Sequence, residues 1–264
     1  NINAINLFSQ RIDKDVYVMI APTAAGVYED HLPKYAKVYN QKTFIDYVYN
    51  YLNKDNVVTL DVFNPLFSTR EEYIYYRTDH NWTSLGAYYA YSSTIKKMGF
   101  VPISLNSFDI EHASNDFKGT LYSKILYNNI KSDTLDFYHY KKGYNVTSVV
   151  VGRGKDAKVS DSMYFKEYLN NNNKYSAMLG EEAPIVTITT DEPSGKNILV
   201  IKDSYANSLV PYLTQHYSEI TMVDLRYLDY SLETFVDINY YDQVLFLYNA
   251  ESFSTYDYFD KLNQ

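Results

Sequence analysis

Four polar groups in this chain have the residue types that acyl transfer needs. Ser204 lies in Lys202-Asp203-Ser204-Tyr205, directly after the apolar run Ile198-Leu199-Val200-Ile201 and before a stretch to Leu213 whose apolar positions recur at helical spacing. A β-branched run without turn residues reads as a strand buried on both faces. Ser204 therefore stands at a strand-to-helix turn, where its hydroxyl is exposed at the carboxyl edge of a sheet with the positive end of a helix behind it. Asp and Ser are also preferred helix N-caps, so the stretch alone leaves both uses open. The second group is Asp79-His80-Asn81-Trp82, which holds the only Trp of the chain and precedes a helix capped by Thr83 or Ser84. That helix runs to Met98 with Gly99 as its left-handed terminator, and Gly86, Ala87 and Ala90 let it approach a neighbour closely. No second His or carboxylate stands at ligand spacing, so metal binding is the weaker use of this cluster. Arg226 and Asn249 complete the set, each just beyond an apolar run, at 219–224 and 243–247. If those strands lie parallel beside the serine strand, both residues emerge at the same sheet edge as Ser204. Ser204 is then a nucleophile, an imidazole its general base and a carboxylate the orienting group. Asn249 and the Ser204 backbone N–H become donors to a tetrahedral oxyanion. Arg226 binds an acyl or acidic group, or serves only as an ion pair.

These groups need a scaffold. Residues 15–20 read as a strand running into the small-residue loop Ala21-Pro22-Thr23-Ala24-Ala25-Gly26. Val38, Phe44, Ile45, Val48 and Leu52 recur at helical spacing, and 56–61 is the next strand. Such a βαβ unit crosses over right-handed and sets its strands parallel in a helix-covered sheet. From 101 to about 196 the helical rhythm degrades into strands at 134–140, 146–151 and 184–190, a helical turn at 164–168 and a polar loop at 170–173. The expectation is one α/β domain over 1–264 with a β-rich insertion at about 101–196.

Composition narrows the function classes. With 24 basic against 32 acidic residues the formal charge is −8, which argues against a nucleic-acid partner. The absence of cysteine excludes disulfides, thiolate metal sites and a cysteine nucleophile. Gly152-Arg153-Gly154 lacks the further residues of a phosphate-cradling loop, so nucleotide binding is rejected. The sequence starts at Asn1 and has neither a leader-like apolar region nor a run long enough to span a membrane, as expected of a soluble, mature or trimmed form. The 31 tyrosines suit core edges and also flat amphipathic surfaces for sugars or proteins.

Taken together, RTDHNWTSLGAYYAY, VIKDSYANSLVPYL, DLRY and VLFLYNAESF resemble the bacterial DHHW family, which is similar to the alginate O-acetyltransferase-like branch of the SGNH hydrolase superfamily. The resemblance spans nearly the whole chain, including the Pro22-Thr23 loop and FKGTLYSK around Gly119. It implies a flavodoxin-like three-layer α/β/α fold with the Asp-x-His motif placed before the serine. It also implies a location outside the cytoplasmic membrane, no cofactor and no metal, an acylated carbohydrate as substrate and a membrane-bound acyl-donor protein as a partner. Carried over by position, Ser204 matches the nucleophile, Asp79 the triad carboxylate and Asn249 the oxyanion donor. Asn81, Trp82, Tyr205 and Arg226 stand as further oxyanion or substrate-binding residues.

The family pattern has His in the third place of its motif, where this chain has Asn81. A carboxamide is not basic, whereas an imidazole titrates near neutral pH. His80, one residue earlier, is the base that remains. Adjacent side chains of an extended loop point to opposite sides, so His80 needs a locally bent backbone to face Ser204 and does not easily lean on Asp79 as well. Two functions follow: a serine esterase or O-acetyltransferase acting on acylated cell-surface or exopolysaccharide, with Ser204, His80 and Asp79, or a catalytically impaired relative that binds glycan or protein through its tyrosines.

Overall fold

The computed structural model describes residues 1–126 and 129–263. Its strands are β1 (Asp15–Ala21), β2 (Val57–Thr59), β3 (Phe108–Phe117), β4 (Asp133–Tyr140), β5 (Val146–Val151), β6 (Lys158–Ser160), β7 (Ile185–Thr190), β8 (Asn197–Lys202), β9 (Glu219–Val223) and β10 (Gln243–Asn249). The α-helices are α1 (Ile2–Arg11), α2 (Ala24–Val27), α3 (Gln41–Tyr51), α4 (Phe63–Ser68), α5 (Ser84–Thr94), α6 (Thr120–Ile125), α7 (Ala206–Leu213), α8 (Leu232–Phe235) and α9 (Ala250–Thr255). Eight strands form one sheet in the order β2-β1-β10-β8-β9-β7-β5-β6. From β2 to β9 all neighbours run parallel, and β7, β5 and β6 continue the sheet antiparallel.

The apolar runs read as doubly buried strands build three layers because successive side chains alternate faces. On one face Tyr17, Met19, Ile198, Val200, Leu245 and Leu247 pack with Ala87, Ala90 and Tyr91 of α5 and Leu209, Val210 and Tyr212 of α7. On the other, Val16, Val18, Ile20, Leu199, Ile201, Val244 and Phe246 pack with Ile5 and Phe8 of α1 and Ile45 and Val48 of α3. Each fully buried Val, Leu, Ile, Met or Phe side chain among these contributes roughly 1.5–3 kcal/mol, so both covering layers are strongly held. The fold is the expected α/β/α sandwich, mixed rather than wholly parallel.

The stretch at 101–196 divides in two. Strands β5, β6 and β7 extend the main sheet, while β3 and β4 form a separate antiparallel pair. That pair packs Phe117, Leu135 and Phe137 against Tyr76, Tyr164 and Tyr175. Strand β3 escaped the sequence reading because FDIEHASNDF buries few positions and its pairing with β4 breaks register twice. Many tyrosines also proved to be core: Tyr91, Tyr205, Tyr212, Tyr217 and Tyr248 are almost fully buried.

Candidate functional site

The serine turn forms locally. Strand β8 ends at Lys202, α7 begins at Ala206, and the buried carboxylate of Asp203 fixes the turn between them. It accepts from the Tyr205 N–H at 2.9 Å, the Asn249 N–H at 2.8 Å and Asn249 Nδ2 at 2.8 Å, tying the end of β8 to the end of β10. Burial pushes the Asp203 carboxyl up, against the pull of these donors. Behind the turn the buried Lys202 ammonium donates to Asn207 Oδ1 at 3.1 Å, and desolvation lowers its pKa. Helix α7 has no side-chain cap, so Ser204 is not used as one. Its hydroxyl instead donates to Asn81 Oδ1 at 2.9 Å, across to the Asp-His loop.

That loop depends on distant residues. Residues 74–83 turn back on themselves, closed by a bridge between Tyr75 and Trp82 and by the Thr83 N–H donating to Ile74 O at 2.9 Å. Gly86 is required beside this closure, since a Cβ there would lie 2.3 Å from Ile74 O. Fully buried Asp133 on β4 holds the approach to the tip, accepting from the Arg77 N–H at 3.0 Å, the Thr78 N–H at 2.8 Å and the hydroxyls of Thr78 and Tyr73. At the tip, Asp79 Oδ1 accepts from the Asn81 N–H at 2.9 Å and Asn81 Nδ2 at 2.7 Å. Asp79 Oδ2 accepts from Thr120 N–H at 2.8 Å and Thr120 Oγ1 at 3.1 Å. An Asp accepting from the N–H two residues on makes an Asx turn. This is the bend that a base at His80 required: His80 Nε2 lies 3.2 Å from Ser204 Oγ while Asn81 faces the same hydroxyl. His80 Nδ1 is 3.6 Å from Asp79 Oδ1, too long for a hydrogen bond, and 2.6 Å from Thr120 Oγ1.

The remaining sequence-selected residues are placed as follows. Trp82 and Tyr205 are fully buried and offer no face to a ligand. They clamp the two loops together: Trp82 Nε1 donates to Tyr205 O at 2.9 Å and Tyr205 OH to His80 O at 2.7 Å. Both hydrogens of Asn249 Nδ2 are engaged, one by Asp203 and the other by Ser252 Oγ at 2.8 Å, while its Oδ1 caps α9. Arg226 forks onto Asp224 at 2.9 and 2.7 Å and reaches Tyr256 OH at 3.2 Å. Burial opposes its charge, but the Asp224 pairing outweighs this and raises its pKa. A cleft of about 460 Å³ opens beside His80, lined in part by Thr23, Asp79, His80, Thr120, Arg226 and Asn249, with Ser204 behind His80 rather than in its lining. That volume suits a small organic ligand. Among the described residues no group of His, Cys, Asp and Glu could hold a metal, and no helix is long and apolar enough to cross a membrane.

The order of the site, with the Asp79 motif in front of α5 and the serine in front of α7, coincides with a family match over residues 2–223 to the model described as DHHW protein. This chain belongs to the DHHW family. A crystal structure of another DHHW family protein, from Eubacterium siraeum, aligns with TM-score 0.81 at 29% identity, over 99% of this chain and 86% of that one. Bacillus cereus PatB1, also solved with a sulfonyl adduct, aligns with TM-score 0.81 at 22% identity, over 98% of this chain and 88% of that one. The O-acetyltransferase domain of Pseudomonas putida AlgJ aligns with TM-score 0.56 at 14% identity, over 99% of this chain and 86% of that one. These likenesses identify the fold of this DHHW protein as SGNH-like. A search of curated proteins finds no match.

Sequence reasoning missed Gly119, Thr120, Asp133 and Tyr175, whose OH donates to Ser204 O at 3.1 Å. Only FKGTLYSK, noted for its family likeness, carried a signal: its Gly119-Thr120 pair lies against Asp79.

Proposed function

We propose that this chain is a serine O-acyltransferase or esterase acting outside the cytoplasmic membrane on acyl esters of cell-surface or exopolysaccharide. The observation that carries this reading is the Ser204 hydroxyl, free of any capping duty and 3.2 Å from His80 Nε2. That is hydrogen-bond reach between a nucleophile and a general base. In the reaction Ser204 Oγ attacks the acyl carbon as its proton passes to His80 Nε2. The Ser204 backbone N–H is the proposed oxyanion donor. The imidazolium then returns its proton to the leaving oxygen, and a sugar hydroxyl or water takes the acyl group in a second, reverse-order step. The AlgJ domain is an O-acetyltransferase, and PatB1 has been captured as a sulfonyl adduct. The first supports acetyl as the group carried, and the second an activated nucleophile as the means.

The test is exposure of wild type, Ser204→Ala and His80→Ala to a sulfonyl fluoride and to a small acetyl ester, read by intact mass and ester hydrolysis. One adduct should form on the wild type and none on Ser204→Ala, with His80→Ala slowed at least about 100-fold. A second reading rests on the 2.9 Å bond from Ser204 Oγ to Asn81 Oδ1, shorter than the approach to His80. It holds the hydroxyl proton on a group that cannot take it. A wild type that never forms an adduct would overturn the enzyme reading and make a catalytically impaired relative that binds glycan or protein the leading one.

A further inference from the structure

Asp79 and His80, next to one another in sequence, are not directly bonded. Between them stands Thr120, the first residue of α6, with Oγ1 2.6 Å from His80 Nδ1 and 3.1 Å from Asp79 Oδ2. The direction of both bonds follows from what each group can do. A carboxylate only accepts, and Asp79 takes four donors, two on each oxygen. Thr120 Oγ1 therefore donates its single hydrogen to Asp79 and has only lone pairs left for His80. Nδ1 must then carry the imidazole proton, which leaves the Nε2 lone pair facing Ser204, whose hydrogen is donated to Asn81 Oδ1 at rest and turns to Nε2 before attack.

We infer that Thr120 is a positioning residue for the proposed reaction: its hydroxyl links His80 to Asp79 and fixes the imidazole in the tautomer that can accept the serine proton. The working chain is Ser204, His80, Thr120, Asp79. During attack the only proton that changes owner is that of Ser204, which moves to Nε2 and later to the leaving oxygen. The Nδ1–H stays bonded to Thr120, and the Thr120 hydrogen stays on Oγ1, donated to Asp79 Oδ2, so the developing imidazolium faces the carboxylate through one hydroxyl. The local backbone is shaped for this contact. A Cβ at Gly119 would sit 2.2 Å from Asp79 Oδ2, so only glycine lets the segment come close enough for Thr120 to donate twice. Gly119 N–H donates to Thr78 Oγ1 at 3.0 Å and Tyr122 N–H to Thr78 O at 3.0 Å, which docks α6 onto the Asp79 loop.

This inference rests on the proposed use of Ser204, and its test separates the two. Thr120→Val keeps shape and the backbone N–H bond to Asp79 but removes the hydroxyl, while Thr120→Ser restores it. Nitrogen-15 NMR of the His80 ring reports the tautomer, and sulfonylation of Ser204 by a sulfonyl fluoride reports reactivity. The expected result is an Nδ1–H tautomer in wild type and Thr120→Ser, a shift toward Nε2–H in Thr120→Val, and sulfonylation about 10- to 100-fold slower in Thr120→Val alone. An unchanged tautomer and unchanged sulfonylation in Thr120→Val would overturn the role. A wild type with the Nδ1–H tautomer, altered in Thr120→Val, that never reacts at Ser204 would sink the enzyme reading and leave the Thr120 link standing.

Discussion

The two loops that meet at Ser204 are built in opposite ways. The serine turn takes its shape mainly from consecutive residues: a buried strand, an Asp fixing the next N–H but one, and a helix, with Asn249 of β10 as an added tie on Asp203. The Asp79 loop is assembled from remote parts of the chain, with Asp133 holding Arg77 and Thr78, and Gly119-Thr120 holding Asp79. A loop specified by contacts between residues tens of positions apart exists only when those segments have docked, and closing those contacts carries an entropic cost.

The largest expected effect is at Asp133. Asp133→Ala removes a fully buried acceptor and strands the Thr78 and Arg77 N–H groups and two hydroxyls. It should cost about 3 kcal/mol by denaturant titration, the scale for breaking a buried charged network, and abolish Ser204 sulfonylation. If sulfonylation persists at the wild-type rate, the Asp79 loop is as locally specified as the serine turn and the contrast fails. Gly119→Ala is the sharper probe. The added methyl meets the Asp79 side chain at 2.2 to 2.6 Å, whereas φ at Gly119 is −89°, so the effect is steric alone. Overpacking costs roughly 1–3 kcal/mol. Reactivity should fall further than the loss of folded protein explains, since the methyl displaces Asp79 and Thr120 from each other.

A smaller effect concerns the seam between the helices that follow the two loops. His216, just past α7, packs on Tyr91 of α5 and takes a hydrogen bond at 2.8 Å between Tyr91 OH and Nε2. The Tyr91 oxygen already accepts from the Ile103 N–H, so its hydrogen points to a neutral imidazole. Burial lowers the His216 pKa to about 4, below its ordinary 6.5. The stability held by the neutral ring is complete above pH 6.5 and is lost as pH falls toward 4, where the unfolded chain binds the proton first. Thermal unfolding between pH 7 and 4 should show a shallower decline of Tm in His216→Phe than in wild type. An equal decline in both would place the acid-sensitive group elsewhere.

The same contrast explains what could be read from sequence. The strand-turn-helix at 198–213 and the helix start after Trp82 were legible because their signals are contiguous: an apolar run, a polar break, then helical spacing. The convergence of β8, β9 and β10 at one edge followed from the rule that such strands lie parallel, and pairing of β8 with both neighbours bears it out. Residues 119, 120 and 133 carried no comparable signal. Glycine, threonine and aspartate are ordinary loop and strand-end residues, and their importance comes only from what they touch some 40 to 55 positions away. Trp82 and Tyr205 are expected from the sequence to be oxyanion or substrate-binding residues. Their burial shows that they join the loops rather than face a ligand.

Asn81 lies between Asp79 and Ser204, donating through Nδ2 to the one and accepting through Oδ1 from the other. A neutral imidazole presents that same donor-then-acceptor order. Asn81 therefore offers Asp79 and Ser204 the same bonding pattern that a histidine at this position would offer. Asparagine and histidine codons differ by a single base. Asn81→His is thus a one-base change that would set an imidazole between a carboxylate and a serine already bonded in that order.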